Sequence, residues 1–306
     1  MTKSIWTIKK ILEWTKQYFT DKGVDNPRLD AEVLLCAILE CGRINLFLDQ
    51  DRPLVEAELT RYKDYVLRRG QHEPIAYILG EKAFMNNTFK VTPATLIPRP
   101  ETELLVESIV RVATMLKSAG DVKILDIGTG SGAIIVSLLD LLPQAKGVGV
   151  DISVDALIVA KENSERIGVK ERCGFVRSDL FSKLPLDKKF DIIVSNPPYI
   201  PEADMDGLDE DVKKEPVTAL VGGKDGLDFY RRIIAEASEH MEAEGLLAFE
   251  VGINEAQEVA KLCIDAGFAA TSIRKDYAGI ERHVFAIKSL EEKKYENLLL
   301  EVSREL

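Results

Sequence analysis

Ile124-Leu125-Asp126-Ile127-Gly128-Thr129-Gly130-Ser131-Gly132 is an apolar run of strand character that breaks into three glycines at alternate positions. Glycine after a strand lets the chain turn sharply and brings the backbone close to a ligand. The following stretch, 132–142, is apolar and of helical length, so the unit reads as strand, tight turn, helix. No Gly-Lys-Ser/Thr follows, which excludes a P-loop phosphate cradle. The spacing is also tighter than the Gly-x-Gly-x-x-Gly that holds a pyrophosphate. A nucleoside with an uncharged tail is the ligand class that remains.

The same alternation continues outward. Strands are expected at 122–127, 147–151, 173–178, 190–195 and 245–251, and helices at 132–142, 153–167, 228–241 and 254–266. Strands alternating with helices imply an α/β fold with a mostly parallel, doubly wound sheet. Runs 268–275 and 282–288, separated by a short break, add a final antiparallel pair and bring the count to seven strands. Ligands of such sheets bind at the carboxyl ends of the strands. Asp151 ends the second strand, where an acid can accept from both ribose hydroxyls or cap the helix beginning at Ser153. Asp179 follows the third strand, placed to accept from an adenine amino group with Leu180 packed on the ring, or to cap a turn.

The fourth strand runs into Asn196-Pro197-Pro198-Tyr199. Both prolines fix φ and lack an N–H, and each pushes the residue before it to extended geometry. The result is a stiff rim on which the Asn196 amide and the Pro197 carbonyl can both face a planar amino group.

Residues 1–80 read differently, as an all-α module. Ile5, Ile8, Ile11 and Leu12 recur at helical spacing, Asn26-Pro27 starts a second helix, and Leu54 to Leu67 gives another ending at Arg69-Gly70. A β-hairpin is expected over 83–93 with Asn86-Asn87 at its turn, followed by a connector stiffened by Pro93, Pro98 and Pro100 and a helix from Glu101 to Met115. The expected divisions are therefore 1–82, 83–100, 101–288 and a charged helical tail over 289–306. Glu13 and the lack of a small-residue cleavage site argue against a transit peptide.

Charge is unevenly placed. Residues 1–95 hold 14 Lys and Arg against 13 Asp and Glu, whereas 96–306 hold 26 against 38. An acidic body lacks the clustered cations that phosphate-backbone binding needs. Arg61, Lys63, Arg68 and Arg69 form a local basic cluster that reads as a solvated helix face. Four cysteines without a CxxC pair and three scattered histidines give no zinc or disulfide framework and fit a reducing cytoplasm. No apolar run reaches the roughly 18 residues of a membrane span.

Together these motifs resemble the Rossmann-like methyltransferases that use S-adenosylmethionine, in which Asn-Pro-Pro-Tyr marks enzymes acting on planar amino nitrogens. Further segments narrow the resemblance to the peptide chain release factor glutamine methyltransferases (the PrmC/HemK family). They are Gln71 to Gly80, Thr95-Leu-Ile-Pro98-Arg99-Pro100-Glu101-Thr102-Glu103, Glu215-Pro216 through Leu227, and Asp276 to Arg282. The resemblance covers about residues 5–288 in order. It implies methylation of the glutamine side-chain nitrogen in the Gly-Gly-Gln motif of release factors. It also implies that Gly128, Thr129, Gly130, Ser131, Gly132, Asp151, Asp179, Leu180 and Asn196 hold the cofactor. Many relatives carry Trp where this chain has Leu180, so weaker stacking on the adenine is expected. Asn196, Pro197, Pro198 and Tyr199 would hold the glutamine, with Asn196, Pro197 and Tyr199 carrying the catalysis, and the helical module would help dock the release factor. Arg99 would contact substrate or cofactor, or form a structural ion pair. A monomer with no stable nucleic-acid binding and no membrane contact is expected. Glutamine methylation of a ribosomal protein, and adenine amino methylation in nucleic acid, share the rim chemistry. The linker from Pro98 to Glu101 and the acidic catalytic half favour the release-factor branch.

Overall fold

The computed structural model describes residues 5–116 and 121–289. The expected helical tail lies outside the described residues except for Ser289. The chain divides into two compact units, one running through Glu81 and including Asp209–Lys214, the other formed by 82–208 and the chain from Glu215 onward.

The first unit holds α1 (Ile8–Asp21), α2 (Pro27–Leu39), α3 (Arg43–Leu48), α4 (Glu56–Arg69) and α5 (Ile75–Leu79). Thr7 caps α1, its hydroxyl accepting from Lys10 N at 3.4 Å. Ile8, Ile11, Thr15 and Phe19 form the buried face of that helix. Pro27 sits in the first turn of α2, where a missing N–H costs nothing. Helix α4 carries Glu56 and Glu58 in its first turn and Arg68 and Arg69 in its last, matching the helix dipole at both ends. The short helices α3 and α5 escape sequence periodicity because neither spans two turns.

One member of the basic cluster is buried and a second is half-buried in an ion pair. Arg68 pairs with Glu73 through Nε at 2.9 Å. Arg69 is buried, with Nε 2.6 Å from Asp30 Oδ2 and Nη2 2.7 Å from Asp211 Oδ2. Replacing Asp30 with Ala leaves the Arg69 charge buried on fewer partners. Asp30→Ala is expected to lower stability by about 2 kcal/mol, the scale of a lost charged hydrogen bond, read as a shifted urea midpoint at unchanged slope.

In the second unit, β1 (Glu81–Phe84) and β2 (Asn87–Lys90) form the hairpin. Its turn is Met85-Asn86, one residue earlier than expected, and Asn87 opens β2. Met85 takes a positive φ of 51° and donates its N–H to Glu103 Oε1 at 2.7 Å, so a tertiary contact sets the turn. After α6 (Pro100–Leu116) come β3 (Lys123–Ile127), α7 (Ala133–Leu141), β4 (Lys146–Asp151), α8 (Val154–Ile167), β5 (Cys173–Arg177) and β6 (Phe190–Ser195). Then follow α9 (Asp228–His240), β7 (Met241–Glu250), α10 (Ala256–Asp265), β8 (Ala270–Lys275) and β9 (Glu281–Ile287).

The seven strands lie in the order β5-β4-β3-β6-β7-β9-β8, parallel through β7 and antiparallel at β9. Successive strand residues feed opposite faces: Ile192 and Val194 enter one core cluster, Ile193 the other. Strand β7 begins at Met241, four residues before the apolar run, because Met241 pairs with Phe190 ahead of a register shift. Glu242 and Glu244 hide that start from any hydrophobic pattern.

Candidate active site

Parallel register aligns the strand ends. Ile127 pairs with Val150 and with Ser195, and Asp151 pairs with Arg177. The residues just beyond β3, β4, β5 and β6 therefore emerge along one edge of the sheet. Ser195 Oγ donates to Ile127 O at 2.7 Å and ties the start of the Asn-Pro-Pro-Tyr rim to the start of the glycine loop. A cavity of about 500 Å³ opens there, within the usual range for small-molecule sites.

The floor is the glycine loop. Gly128 and Thr129 both donate N–H to Val150 O at 2.9 Å, and Gly128 and Gly130 take φ values of +71° and +54°. Side chains rarely adopt that conformation, which explains the alternating glycines. Asp151 braces the loop, since Oδ2 accepts from Gly130 N and Oδ1 from Ser153 N, each at 2.9 Å. Burial pushes the Asp151 carboxyl above its ordinary range, against those backbone donors. Each oxygen retains a further lone pair. Asp126 lies beneath the loop, fully buried, with Oδ2 accepting from Thr129 Oγ1 at 2.6 Å. Burial raises its pKa to about 7, and the nearby Asp151 adds to the rise.

Gly128, Thr129, Gly130, Ser131, Asp151, Asp179, Leu180, Asn196, Pro197 and Pro198 all line the cavity. Two expected members do not. Gly132 caps α7, and a Cβ there would meet Ala160 Cβ at 3.1 Å, so it serves close packing of helix on helix. Tyr199 packs into the core cluster that includes Phe249 and Tyr230, beneath the rim. Gly222 and Gly226 press on it from the following loop: a Cβ on Gly222 would lie 2.7 Å from Tyr199 Cα, and one on Gly226 2.5 Å from its carbonyl oxygen. Burial raises the Tyr199 phenol to about 12. Asp179 accepts both its bonds from Arg232 Nη2 at 2.8 Å, and Arg232 also lines the cavity over the Phe229 ring. Arg99 lines the cavity while pairing with the buried Glu215, whose other oxygen accepts from Ile97 N at 2.9 Å. Both readings of Arg99 are thus compatible with its place.

Asn196 is the site's unusual group. Its Nδ2 donates to Thr102 Oγ1 at 3.4 Å, yet its Oδ1 is buried with no hydrogen-bond partner among the described residues. A buried acceptor left unpaired costs roughly 1–3 kcal/mol, so such atoms mark places where a ligand completes the structure. Thr102 and Glu250, which bond to each other here, carry no role in the sequence reading. Glu250 has a detectable signal, a carboxylate ending an apolar strand just as Asp151 does. Pro216 to Ala219, from a segment that carried the family resemblance without an assigned role, and Phe229 also line the cavity.

The family model described as "PrmC N-terminal domain" matches residues 10–80, and the one described as "Methyltransferase small domain" matches 102–214. A release factor glutamine methyltransferase of Geobacter sulfurreducens is 44% identical over 281 residues, 92% of this chain and 96% of the relative. One from Nitratidesulfovibrio vulgaris is 39% identical over 93% of this chain and 96% of its own. The chain belongs to the release factor glutamine methyltransferase family. A solved methyltransferase of Pyrococcus furiosus, 19% identical, covers 77% of this chain and all of its own with a TM-score of 0.50, a likeness of fold. As a member of this family the chain is a methyltransferase, and its cofactor is S-adenosylmethionine. The cavity fits that group, with a bare backbone floor, the Asp151 carboxylate at a strand end and apolar walls from Ile134, Ile152 and Leu180. Among the described residues, no helix is long and apolar enough to cross a membrane.

Proposed function

We propose that this methyltransferase modifies the side-chain amide nitrogen of the glutamine in the Gly-Gly-Gln motif of peptide chain release factors. The observation that carries the reading is the unpartnered Asn196 Oδ1, a buried acceptor on the cavity wall beside Pro197. The names of the relatives point to the same substrate class.

An amide nitrogen is a poor nucleophile because its lone pair is delocalised into the carbonyl. S-adenosylmethionine, when bound, supplies an activated methyl group, which leaves the protein the tasks of positioning and electronic tuning. Asn196 Oδ1 and the Pro197 carbonyl accept the two N–H bonds of the glutamine. This arrangement favours a pyramidal nitrogen with its lone pair directed at the methyl group. These bonds strengthen as the nitrogen gains positive charge, so they favour the transition state over the ground state. The two prolines hold the acceptors rigid, so little reorganisation is needed at the moment of reaction. Asp151 and the glycine loop hold the cofactor. Tyr199 acts from beneath, as part of the packing that fixes the rim's height.

Mass spectrometry of an unmethylated recombinant release factor incubated with the protein and S-adenosylmethionine tests this reading. One added methyl group on the Gly-Gly-Gln glutamine is expected. An unmodified release factor, with cofactor binding intact, would sink the substrate assignment and direct the search to ribosomal proteins and adenine.

A further inference from the structure

Two buried polar residues behind Asn196 form an ordered chain of donors. Thr102, in the first turn of α6, donates its hydroxyl proton to Glu250 Oε2 at 2.6 Å, and Asn196 Nδ2 donates to Thr102 Oγ1. Glu250 stands one residue beyond Phe249, which pairs with Ser195 of β6, so it lies alongside Asn196 by register. Thr102 and Glu250 are 4% and 2% exposed, so bulk solvent dilutes their hydrogen bond little.

A hydroxyl has one proton. While Glu250 is a carboxylate it can only accept, so the Thr102 proton must point to it. The Thr102 lone pairs are then presented to Asn196, which must answer with its NH2 group. The carboxamide oxygen is thereby turned the other way, and that oxygen is the atom with no partner. A carboxamide turned by half a rotation would offer N–H groups where the substrate nitrogen also offers N–H groups.

We propose that Thr102 and Glu250 are positioning residues that lock the Asn196 carboxamide with its oxygen available to the substrate amide. The proposal rests on the role assigned to Asn196 in the functional reading above.

The chain of donors depends on the charge state of Glu250. Burial, the leading influence, raises its carboxyl to about 7, against Thr102, Arg282 and Asn196, which favour the charged form, and with Glu101, which opposes it. The other groups around it are Tyr199, Tyr230 and His283. The Tyr230 hydroxyl donates to the Glu250 carbonyl at 3.0 Å. His283 pairs with Glu250 across β7 and β9 and is kept neutral by burial, its pKa lowered to about 4. The Tyr199 phenol is held neutral, at about 12. Glu255, which accepts from Gly252 N and shares Tyr230 and Arg282 with Glu250, is also raised to about 7 by burial, but it is Glu250 that accepts from Thr102. Once protonated it can donate to Thr102 and reverse the chain, which releases Asn196 from its single orientation. Turnover should accordingly fall as pH drops through about 7.

Two readouts test the proposal. The first needs no substrate: side-chain amide NMR signals of protein labelled with ¹⁵N-asparagine, with Asn196 identified by its loss in Asn196→Ala. The Asn196 signals should titrate near pH 7 in the unaltered protein and become flat in the isosteric Glu250→Gln. The second is turnover of a release factor against pH. Glu250→Gln should flatten the acidic limb, and Thr102→Val should lower kcat about tenfold while the KM for S-adenosylmethionine moves less than about threefold. Thr102→Ser, which restores the hydroxyl, should recover kcat. Asn196 signals that ignore pH in the unaltered protein, or a Thr102→Val variant with full kcat, would overturn the proposal. If the NMR titration appears as expected but no form of the protein methylates a release factor, the functional reading fails and the positioning role stands.

Discussion

Asn196→Ala is expected to lower kcat on a release factor by about 10²–10³-fold, or about 2.7–4 kcal/mol of activation free energy, the scale of one lost preorganised acceptor. The Kd for S-adenosylmethionine should change far less, because the proposed reading gives the cofactor chiefly to the glycine loop and Asp151. Stability supplies an internal control. Among the described residues Asn196 Oδ1 is buried without a partner, and the Nδ2 bond to Thr102 is long at 3.4 Å. Deleting the amide removes an unsatisfied group, so the thermal midpoint should hold or rise while turnover collapses. A residue kept at a cost to stability is a residue kept for chemistry. Unchanged turnover in the variant, measured by single-turnover methyl transfer, would remove Asn196 from the mechanism.

Asp151→Ala should act on the other half of the reaction. Its carboxylate holds Gly130 N and Ser153 N together, bridging the glycine loop to the cap of α8. Removing it loses two charge-assisted bonds, leaves the Gly130 N–H without its acceptor and, on the proposed reading, deletes a cofactor contact. The Kd for S-adenosylmethionine should rise about 10²-fold, which corresponds to about 2.7 kcal/mol. Calorimetric titration gives that value directly. Turnover at saturating cofactor should recover most of its rate, in contrast to Asn196→Ala. Unaltered affinity would take Asp151 out of the site.

Local sequence carried much of this architecture because local rules governed it. The strand, glycine turn and helix around Gly128 depend on a period of two, a backbone that must reach positive φ, and a period of 3.6. Asp151 was legible because its strand ends there and a helix begins three residues later. The rim was legible because two prolines restrict their own neighbourhood whatever surrounds them. The hairpin turn was misplaced by one residue because Glu103, 18 residues away, holds the Met85 N–H. The start of β7 was hidden because pairing with β6, not hydrophobicity, makes it a strand.

The site divides in the same way. Sequence by itself determined which residues sit at the strand ends, since βα alternation sets chain direction and brings each parallel strand's carboxyl end to the same side. It also determined the stiffness of the rim and the conformational need for glycine in the turn after β3. Only tertiary structure decided which of those residues face the cavity. It turned Gly132 to helix packing and Tyr199 to the core, and bound Asp179 to Arg232. It also brought Thr102, Asn196 and Glu250 together across separations of 94 and 148 residues. The physical reason is that backbone conformation is set by each residue and its neighbours, whereas a buried polar group is satisfied by whatever donor or acceptor the packed sheet and helices place beside it. No spacing in the chain encodes that pairing.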